Sequence, residues 1–543
     1  MTSTSPALAE RLARLAPDQR AAATAPPGPI LCVAPAGSGK TTTLVARVAW
    51  LIDSGVDPGA IAAITFNRKA AEELGGRLRE VLAPLRPRDG AEPAVRVRTF
   101  HALGLEILRE AGQPVGPLLD RETILRGALP GSTAAERRRL DTVISRLKLD
   151  LGVDANAVAA DPDAGPAARA FVAYERAIAD AGGLDFDDLV VRAIRLLESE
   201  PGILSSWRAR CSHLLVDEAQ DLDRSQLRMA LVLAAPANRI FLVGDDDQSI
   251  YGWRLADVRR LLNLAETSLP GLRRVDLVTN YRCPASVVAR AVRLVEGNRE
   301  RFAKRIVARP NAPGLVILAP SAADDADRCL AVLRSWPEPP DDASATQAIL
   351  ARTNRELLPA VVAALSADTA FRATGLELPV ESPVVDDLLR AAAAVADGRP
   401  PVAVMARLRS MAVGDARSIA EAVLAWAPAF ERLADLAAAV AEVRARLARL
   451  RRDDAPLTLA TAHATKGLEF DLVAVIGMDE GRFPSARSVA DAEDPERALE
   501  EERRLAYVAW TRARRSLTLV YDPAAPSTFL REAFEPWELE PVA

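Results

Sequence analysis

The chain has 543 residues, and at roughly 150 residues per domain it should divide into three or four structural units. Hydrophobic residues make up 49% and charged residues 26%, a folded globular profile that excludes a disordered or collagen-like chain. Lys and Arg total 69 against 74 Asp and Glu, a net charge of −5, which excludes coating nucleic acid by overall positive charge but not a local basic groove. Aromatics are only 4% and alanine is abundant, so alanine-rich helix surfaces are expected. No apolar run reaches the roughly 18 residues of a membrane helix. The start, MTSTSPALAERLARL, carries charges where a signal peptide would be apolar. Cys32, Cys211, Cys283 and Cys329 form no C-x-x-C pair, three of them sit in apolar or mixed runs and read as buried thiols, and His101, His213 and His463 lack metal-ligand spacing. A reducing cytoplasm is the compartment implied.

In chain order, the first informative segment is ILCV at 30–33, a short buried-strand run. APAGSGKT at 34–41 follows, then the helix-like TTLVARVAWLI. Strand, Gly-rich turn, Lys-Thr and helix form the context of a phosphate-binding loop. Backbone N–H groups around Ala36, Gly37, Ser38, Gly39 and Thr42 would cradle phosphates. Lys40 would reach the β- and γ-phosphates of ATP, and Thr41 would ligate Mg²⁺. The first Gly of the pattern is Ala34 here, which fits if that position keeps φ below zero.

Residues 106–199 are mostly helical in pattern, with GGLDFDDLVVRAIRLL at 182–197. Arg137, Arg138, Arg139, Arg146 and Lys148 form a basic cluster there, read either as a solvated helix face or as a DNA-phosphate contact. LLVDEAQD at 214–221 is an apolar strand ending in two acids, as a Walker B strand does; Asp217 would hold Mg²⁺ and Glu218 would deprotonate the attacking water. A third strand leads into RIFLVGDDDQSIYGWR at 239–254. Gln248 would sense the γ-phosphate or position water, the Asp245–Asp247 run would lie beside the ATP site, and Tyr251 and Trp253 with Arg254 would offer bases a stacking platform. A second strand-rich region is expected from VDLVT (275–279), through LVILAP (315–320) and QAILAR (347–352), to LTLAT (457–461), DLVAVIG (471–477) and SLTLVY (516–521). Strands alternating with helices imply a second parallel α/β unit.

With these segments in this order, the chain resembles a superfamily 1A DNA helicase of the UvrD/Rep/PcrA family over nearly its whole length. LAPDQRAAA (15–23) resembles the Q motif, which implies Gln19 on adenine; ITFNRKAAEEL (64–74) resembles motif Ia, which implies Phe66 near a base. TFHALGLEILRE (99–110) resembles motif Ib, with Thr99 and His101 near the strand. TNYRCP (279–284) resembles motif IV, with Tyr281 against adenine and Arg282 on the γ-phosphate. LATAHATKGLEFDLVAVIGMDEGRFP (459–484) resembles motif V, with Glu469 on the ribose and Thr461 and His463 on DNA. EEERRLAYVAWTRAR (500–514) resembles motif VI, with Arg512 as the second arginine reaching ATP. Thr42 stands where the family often has Arg, which shifts adenine packing toward Tyr281; Asn67-Arg68-Lys69 departs from the usual motif Ia run and alters one strand contact.

The resemblance implies two RecA-like parallel-sheet domains of the P-loop NTPase class, each with a helical insertion: 1–105 with 200–274, interrupted by 106–199, and 275–385 with 455–543, interrupted by a short 386–454. It implies ATP between them, Mg²⁺ as cofactor, single-stranded DNA and duplex junctions as substrate, and 3′→5′ movement in repair or replication. The small second insertion suggests a pared-down motor with weak autoinhibition. The motifs leave open a translocase that displaces bound proteins with little unwinding, a nucleotide-switched docking protein, and a motor subunit of a larger complex. Repair factors or RNA polymerase as protein partners are not readable from the motifs.

Overall fold

The computed structural model describes residues 6–83, 95–130, 132–149, 151, 155–161, 163, 165–336, 345–396, 398–413 and 415–540. They form two compact units, Met1–Pro313 with Asp494–Thr511, and Gly314–Glu493 with Arg512–Ala543.

Four strands of the first unit are buried at every position: β1 (Ile30–Val33), β2 (Ile61–Thr65), β4 (His213–Val216) and β5 (Ile240–Gly244). Such continuous apolar runs suit a parallel sheet with both faces covered. With β3 (Arg96–Thr99) and β6 (Arg273–Asp276) they form a parallel sheet ordered β3-β2-β4-β5-β1-β6. The carboxyl ends of β4, β5 and β1 therefore lie side by side, where ligands bind in sheets of this class. The phosphate-loop sequence, DEAQD and GDDDQ open from those three ends.

VDLVT does not begin the second sheet. Residues 273–276 pair with β1, with Val275 beside Cys32, and close the first sheet. The chain then forms a small ribbon, β7 (Thr279–Asn280) with β8 (Val307–Ala308), and stays with the first unit to Pro313. Strand propensity does not specify a sheet; here the free edge of β1 decides.

The first insertion has a core of its own, Leu125, Ile144, Phe171, Tyr174 and Ile178. It is narrower than 106–199, because helix Phe186–Ser199 buries Leu189, Val190, Ile194 and Leu197 with Phe100, Leu103 and Ile107 of helix Phe100–Glu110 in the main core. Lys148 is neither solvated nor offered to phosphate. Its ammonium is buried, 2.8 Å from Asp185, 2.9 Å from Asp188 and 2.9 Å from Glu175. Arg121 adds contacts of 2.7 Å to both Asp185 and Asp187. Arg137 is likewise turned inward, onto Glu122 at 2.8 Å. Within that basic cluster, the acids of LDFDDL are partners of Lys148.

The second unit has a parallel sheet ordered β11-β12-β10-β13-β14-β9. Its strands are β9 (Leu315–Pro320), β10 (Gln347–Ala351), β11 (Phe371–Arg372), β12 (Leu457–Thr461), β13 (Phe470–Val475) and β14 (Ala513–Tyr521). Each sheet thus serves one RecA-like domain. Between β11 and β12, helices Val384–Val395, Pro401–Met411, Asp415–Trp426 and Leu433–Leu450 close over Val385, Val404, Met405, Val423, Leu436 and Val440. The last of these helices carries Leu447 and Leu450 back into the sheet's own core. All four cysteines are buried and free. Among the described residues, no helix is long and apolar enough to cross a membrane.

Candidate nucleotide site and aromatic platform

The loop after β1 folds as its glycines require. Gly37 and Gly39 take φ of +67° and +86°, whereas Ala34 needs no left-handed backbone. A Cβ on Gly37 would stand 2.7 Å from Asn280 Oδ1, and one on Gly39 would stand 2.6 Å from Gln19 Nε2. Gln19 is buried and donates to the Ser38 carbonyl at 2.8 Å, while its own carbonyl accepts from Ala16 N–H at 3.2 Å. Tyr281 N–H donates to the Gly37 carbonyl at 2.8 Å, and its ring is 41% exposed beside the loop. Asn280 Oδ1 accepts the N–H groups of Arg282 and Cys283 at 2.9 and 2.8 Å, which shapes the motif IV turn. Arg282 donates to the Thr511 carbonyl at 3.4 Å.

Helix Lys40–Asp53 opens at Gly39 with neither a side-chain cap nor an acid in its first turn. Ser38 Oγ is buried and has no hydrogen-bond partner. A helix start without a capping acid and an orphaned hydroxyl are what an anionic phosphate would satisfy. Lys40 Nζ lies 3.2 Å from Glu218 Oε2, so the loop lysine and the second Walker B acid share one spot. Glu218 sits in the left-handed region, φ 52° and ψ 43°, an unusual backbone for a non-glycine residue. Its N–H donates to Asp217 Oδ1 at 2.9 Å, and Asp217 N–H is held by the Ile64 carbonyl at 2.9 Å. Thr41 and Asp217 supply the hard oxygen donors that Mg²⁺ prefers, and Mg²⁺ usually keeps several waters. Thr42 is exposed beside them.

Sequence reasoning missed Gln220. Its Nε2 donates to Glu218 Oε2 at 2.6 Å, and its Oε1 accepts Asp245 N–H at 2.9 Å. Asp245 Oδ2 in turn accepts Gln248 Nε2 at 2.7 Å. One buried path therefore joins Glu218 to Gln248. It also missed the partners of the acidic run. Asp245, Asp246 and Asp247 are fully buried, and Lys304 lies among them, 3.2 Å from Asp245 and 2.8 Å from Asp247, with a further ion pair to Asp246. Arg301 grips Asp247 through two contacts of 3.0 and 2.9 Å. The run is thus a charge-compensated core. Burial, then the flanking carboxylates, push Asp246 up to about 6, while Lys304 and Arg301 hold Asp247 below its usual range against burial. The only available signal was RFAK at 301–304, more than fifty residues downstream.

The aromatic residues converge. Phe66 stacks on Tyr251 with centroids 5.0 Å apart and planes 11° apart, and Tyr251 meets Trp253 edge-on at 6.1 Å. Arg254 lies 4.7 Å over Trp253, which is 55% exposed. Thr99 caps its helix by accepting Ala102 N–H at 3.2 Å. His101 stacks on the exposed ring of Phe186 at 4.0 Å, and burial lowers its pKa to about 4, so it is neutral at pH 7. Phe186 was hidden in the amphipathic pattern of its helix.

In the second unit, burial likewise lowers His463 to about 4, next to Thr461 at the end of β12. Glu469 lies 3.4 Å from Arg514, and buried Arg512 donates to the Leu468 carbonyl at 3.1 Å.

Comparison with known families matches residues 15–268 to the UvrD/REP helicase N-terminal domain and residues 430–523 to the UvrD-like helicase C-terminal domain. The ATP-dependent DNA helicase PcrA of Leuconostoc citreum is 28% identical, over 91% of this chain and 80% of that protein. The ATP-dependent DNA helicase PcrA of Staphylococcus aureus (strain Mu50 / ATCC 700699) is 26% identical over 93% and 84%, and DNA helicase II of Escherichia coli (strain K12) is 28% identical over 93% and 84%. The Leuconostoc alignment runs to 614 positions against the 543 residues of this chain, so that relative has segments this chain lacks.

Proposed function

This chain belongs to the UvrD/Rep/PcrA-type family of superfamily 1 helicases, and from that premise we propose an ATP-driven motor that moves 3′→5′ along single-stranded DNA and unwinds duplex junctions. The observation that carries the reading is the hydrogen-bonded path from Lys40–Glu218 through Gln220 and Asp245 to Gln248, three residues before the platform of Tyr251 and Trp253. Phosphate chemistry and base stacking thereby meet in the segment that follows β5.

Lys40 and the loop N–H groups bind the ATP phosphates, and Gln19 and Tyr281 border the adenine. Thr41 and Asp217 would hold Mg²⁺, which would supply positive charge against the phosphates. Glu218 accepts the proton of the attacking water, and Gln248 orients that water against the γ-phosphoryl group. Arg282 and Arg512 offset the charge that peaks in the transition state, a role worth about 10³–10⁵ in rate. Glu469 contacts the ribose. Phe66, Tyr251, Trp253 and Arg254, with Thr99, His101, Thr461 and His463, hold the strand. Stacking on such a platform contributes about 1–3 kcal/mol per base and tolerates any sequence. A DNA substrate sets this work in the cytoplasm, at the nucleoid, in repair or replication.

The test is strand displacement on duplexes with a 3′ or a 5′ single-stranded tail. Unwinding of the 3′-tailed duplex alone is expected. A preference for the 5′ tail would overturn the polarity. ATP turnover on the strand with neither duplex opened would favour a translocase that clears bound proteins.

A further inference from the structure

Helix Pro495–Trp510 reaches the platform from outside the path described above. Its Glu501 Oε1 accepts the Gly252 backbone N–H at 2.9 Å. A Cβ on Gly252 would stand 2.5 Å from Glu501 Oε2 and 2.7 Å from Oε1, so the carboxylate lies flat on the glycine. Gly252–Arg254 is the short 3-10 turn that displays Trp253, and no side chain caps it at Tyr251. The helix itself is firmly seated. Glu500 accepts the N–H groups of Arg299 and Glu300 at 2.8 and 3.1 Å, and Arg497 meets Glu300 at 3.2 Å. Arg512 follows the end of this helix after one residue.

We propose that Glu501 is a positioning residue, latching the turn that presents Trp253 to the helix that runs toward Arg512, so that strand occupancy and ATP chemistry are joined through one charge-assisted hydrogen bond. This rests on the motor reading above. A carboxylate receiving a backbone N–H makes one of the stronger hydrogen bonds available, and glycine alone leaves room for it. The contact is made at the turn that displays Trp253, so it acts on the response to the strand.

The test uses the full chain, oligo-dT and ATP. Glu501→Ala removes the acceptor, Glu501→Gln keeps one, and Gly252→Ala ejects the carboxylate from the opposite side. Glu501→Ala and Gly252→Ala should each raise the oligo-dT concentration for half-maximal stimulation about tenfold or more. In Glu501→Ala the unstimulated turnover and KM for ATP should stay within about twofold of wild type. Glu501→Gln, which keeps an acceptor but not its charge, should fall between wild type and Glu501→Ala, and the Glu501→Ala, Gly252→Ala double variant should be no worse than either single one, because both break the same contact. Unchanged half-saturation, additive effects, or a uniform fall of every parameter with a lowered Tm would each overturn the latch. A wild-type protein that oligo-dT does not stimulate would overturn the motor reading, and the latch with it.

Discussion

Lys304→Met keeps an unbranched chain of similar length but removes a charge from the centre of three buried carboxylates. Arg301 would then face all three alone, with direct contacts to Asp247. Breaking a buried ion pair costs about 3–5 kcal/mol, chiefly because an uncompensated charge stays behind. Against a domain stability of about 5–15 kcal/mol, that is a large share. At about 2–4 °C per kcal/mol for mid-sized domains, the first unit, which is larger, should lose at least about 5 °C in Tm. The pH dependence follows from Asp246, which burial and its neighbours already push up to about 6. A carboxyl whose folded pKa is raised destabilises the fold in its charged form, at pH above that value. The penalty fades as pH falls through the folded pKa toward the unfolded one. Lys304→Met should raise Asp246 further, so the Tm gap to wild type should be widest near about pH 8 and narrow toward about pH 5. Adding Asp246→Asn should recover part of the loss by removing one carboxylate. Scanning calorimetry across this range is the assay. A gap below about 1 °C at neutral pH, or one that widens on acidification, would refute the claim that Lys304 compensates the acidic run.

Trp253→Ala should weaken oligo-dT binding by about 1–3 kcal/mol, read as a rise in half-saturating strand concentration in a fluorescence titration. Gln220→Leu should lower kcat about tenfold with little change in KM for ATP, because it releases Glu218 and Asp245 together; steady-state ATPase kinetics would show it. Lys148→Met should destabilise the first helical insertion by about 3–5 kcal/mol without changing the salt dependence of strand binding, measured by hydrogen exchange and by titration at several salt concentrations. In the native chain Lys148 and Arg121 hold Asp185 well below the usual carboxylate range despite its burial. A depressed carboxylate stabilises the fold above its unfolded pKa, near 3.9, and that contribution is lost as pH falls toward the folded value, so the insertion should begin to open below about pH 4.

The chemistry that a short segment carries by itself was legible in the sequence. The strand-loop-helix at 30–53, the acids ending β4 and the aromatics of IYGWR each announce themselves within one short stretch of chain. The five strands expected at 315–320, 347–352, 457–461, 471–477 and 516–521 appear in the second sheet, because each is a self-sufficient apolar run. What depended on distant partners was not legible. The acids of GDDDQ resembled a site until Arg301 and Lys304 were seen to neutralise them from beyond β6. Lys148 read as solvated or as a DNA-phosphate contact because its partners Asp185 and Asp188 lie some forty residues further along the chain. β6 was assigned to the wrong sheet because its pairing partner, β1, lies more than two hundred residues earlier. Gln220 gave no signal, since an amide between two acids becomes informative only when both of its ends are seen to be engaged.

The central claim is that ATP hydrolysis at Lys40 and Glu218 is driven by a single strand on the aromatic platform. The direct measurement is steady-state ATP turnover with and without oligo-dT, for the wild-type chain and for Glu218→Gln. Oligo-dT should raise turnover in the wild type, while Glu218→Gln should bind ATP and hydrolyse almost none under either condition. Turnover indifferent to the strand, or turnover that survives in Glu218→Gln, would contradict the account.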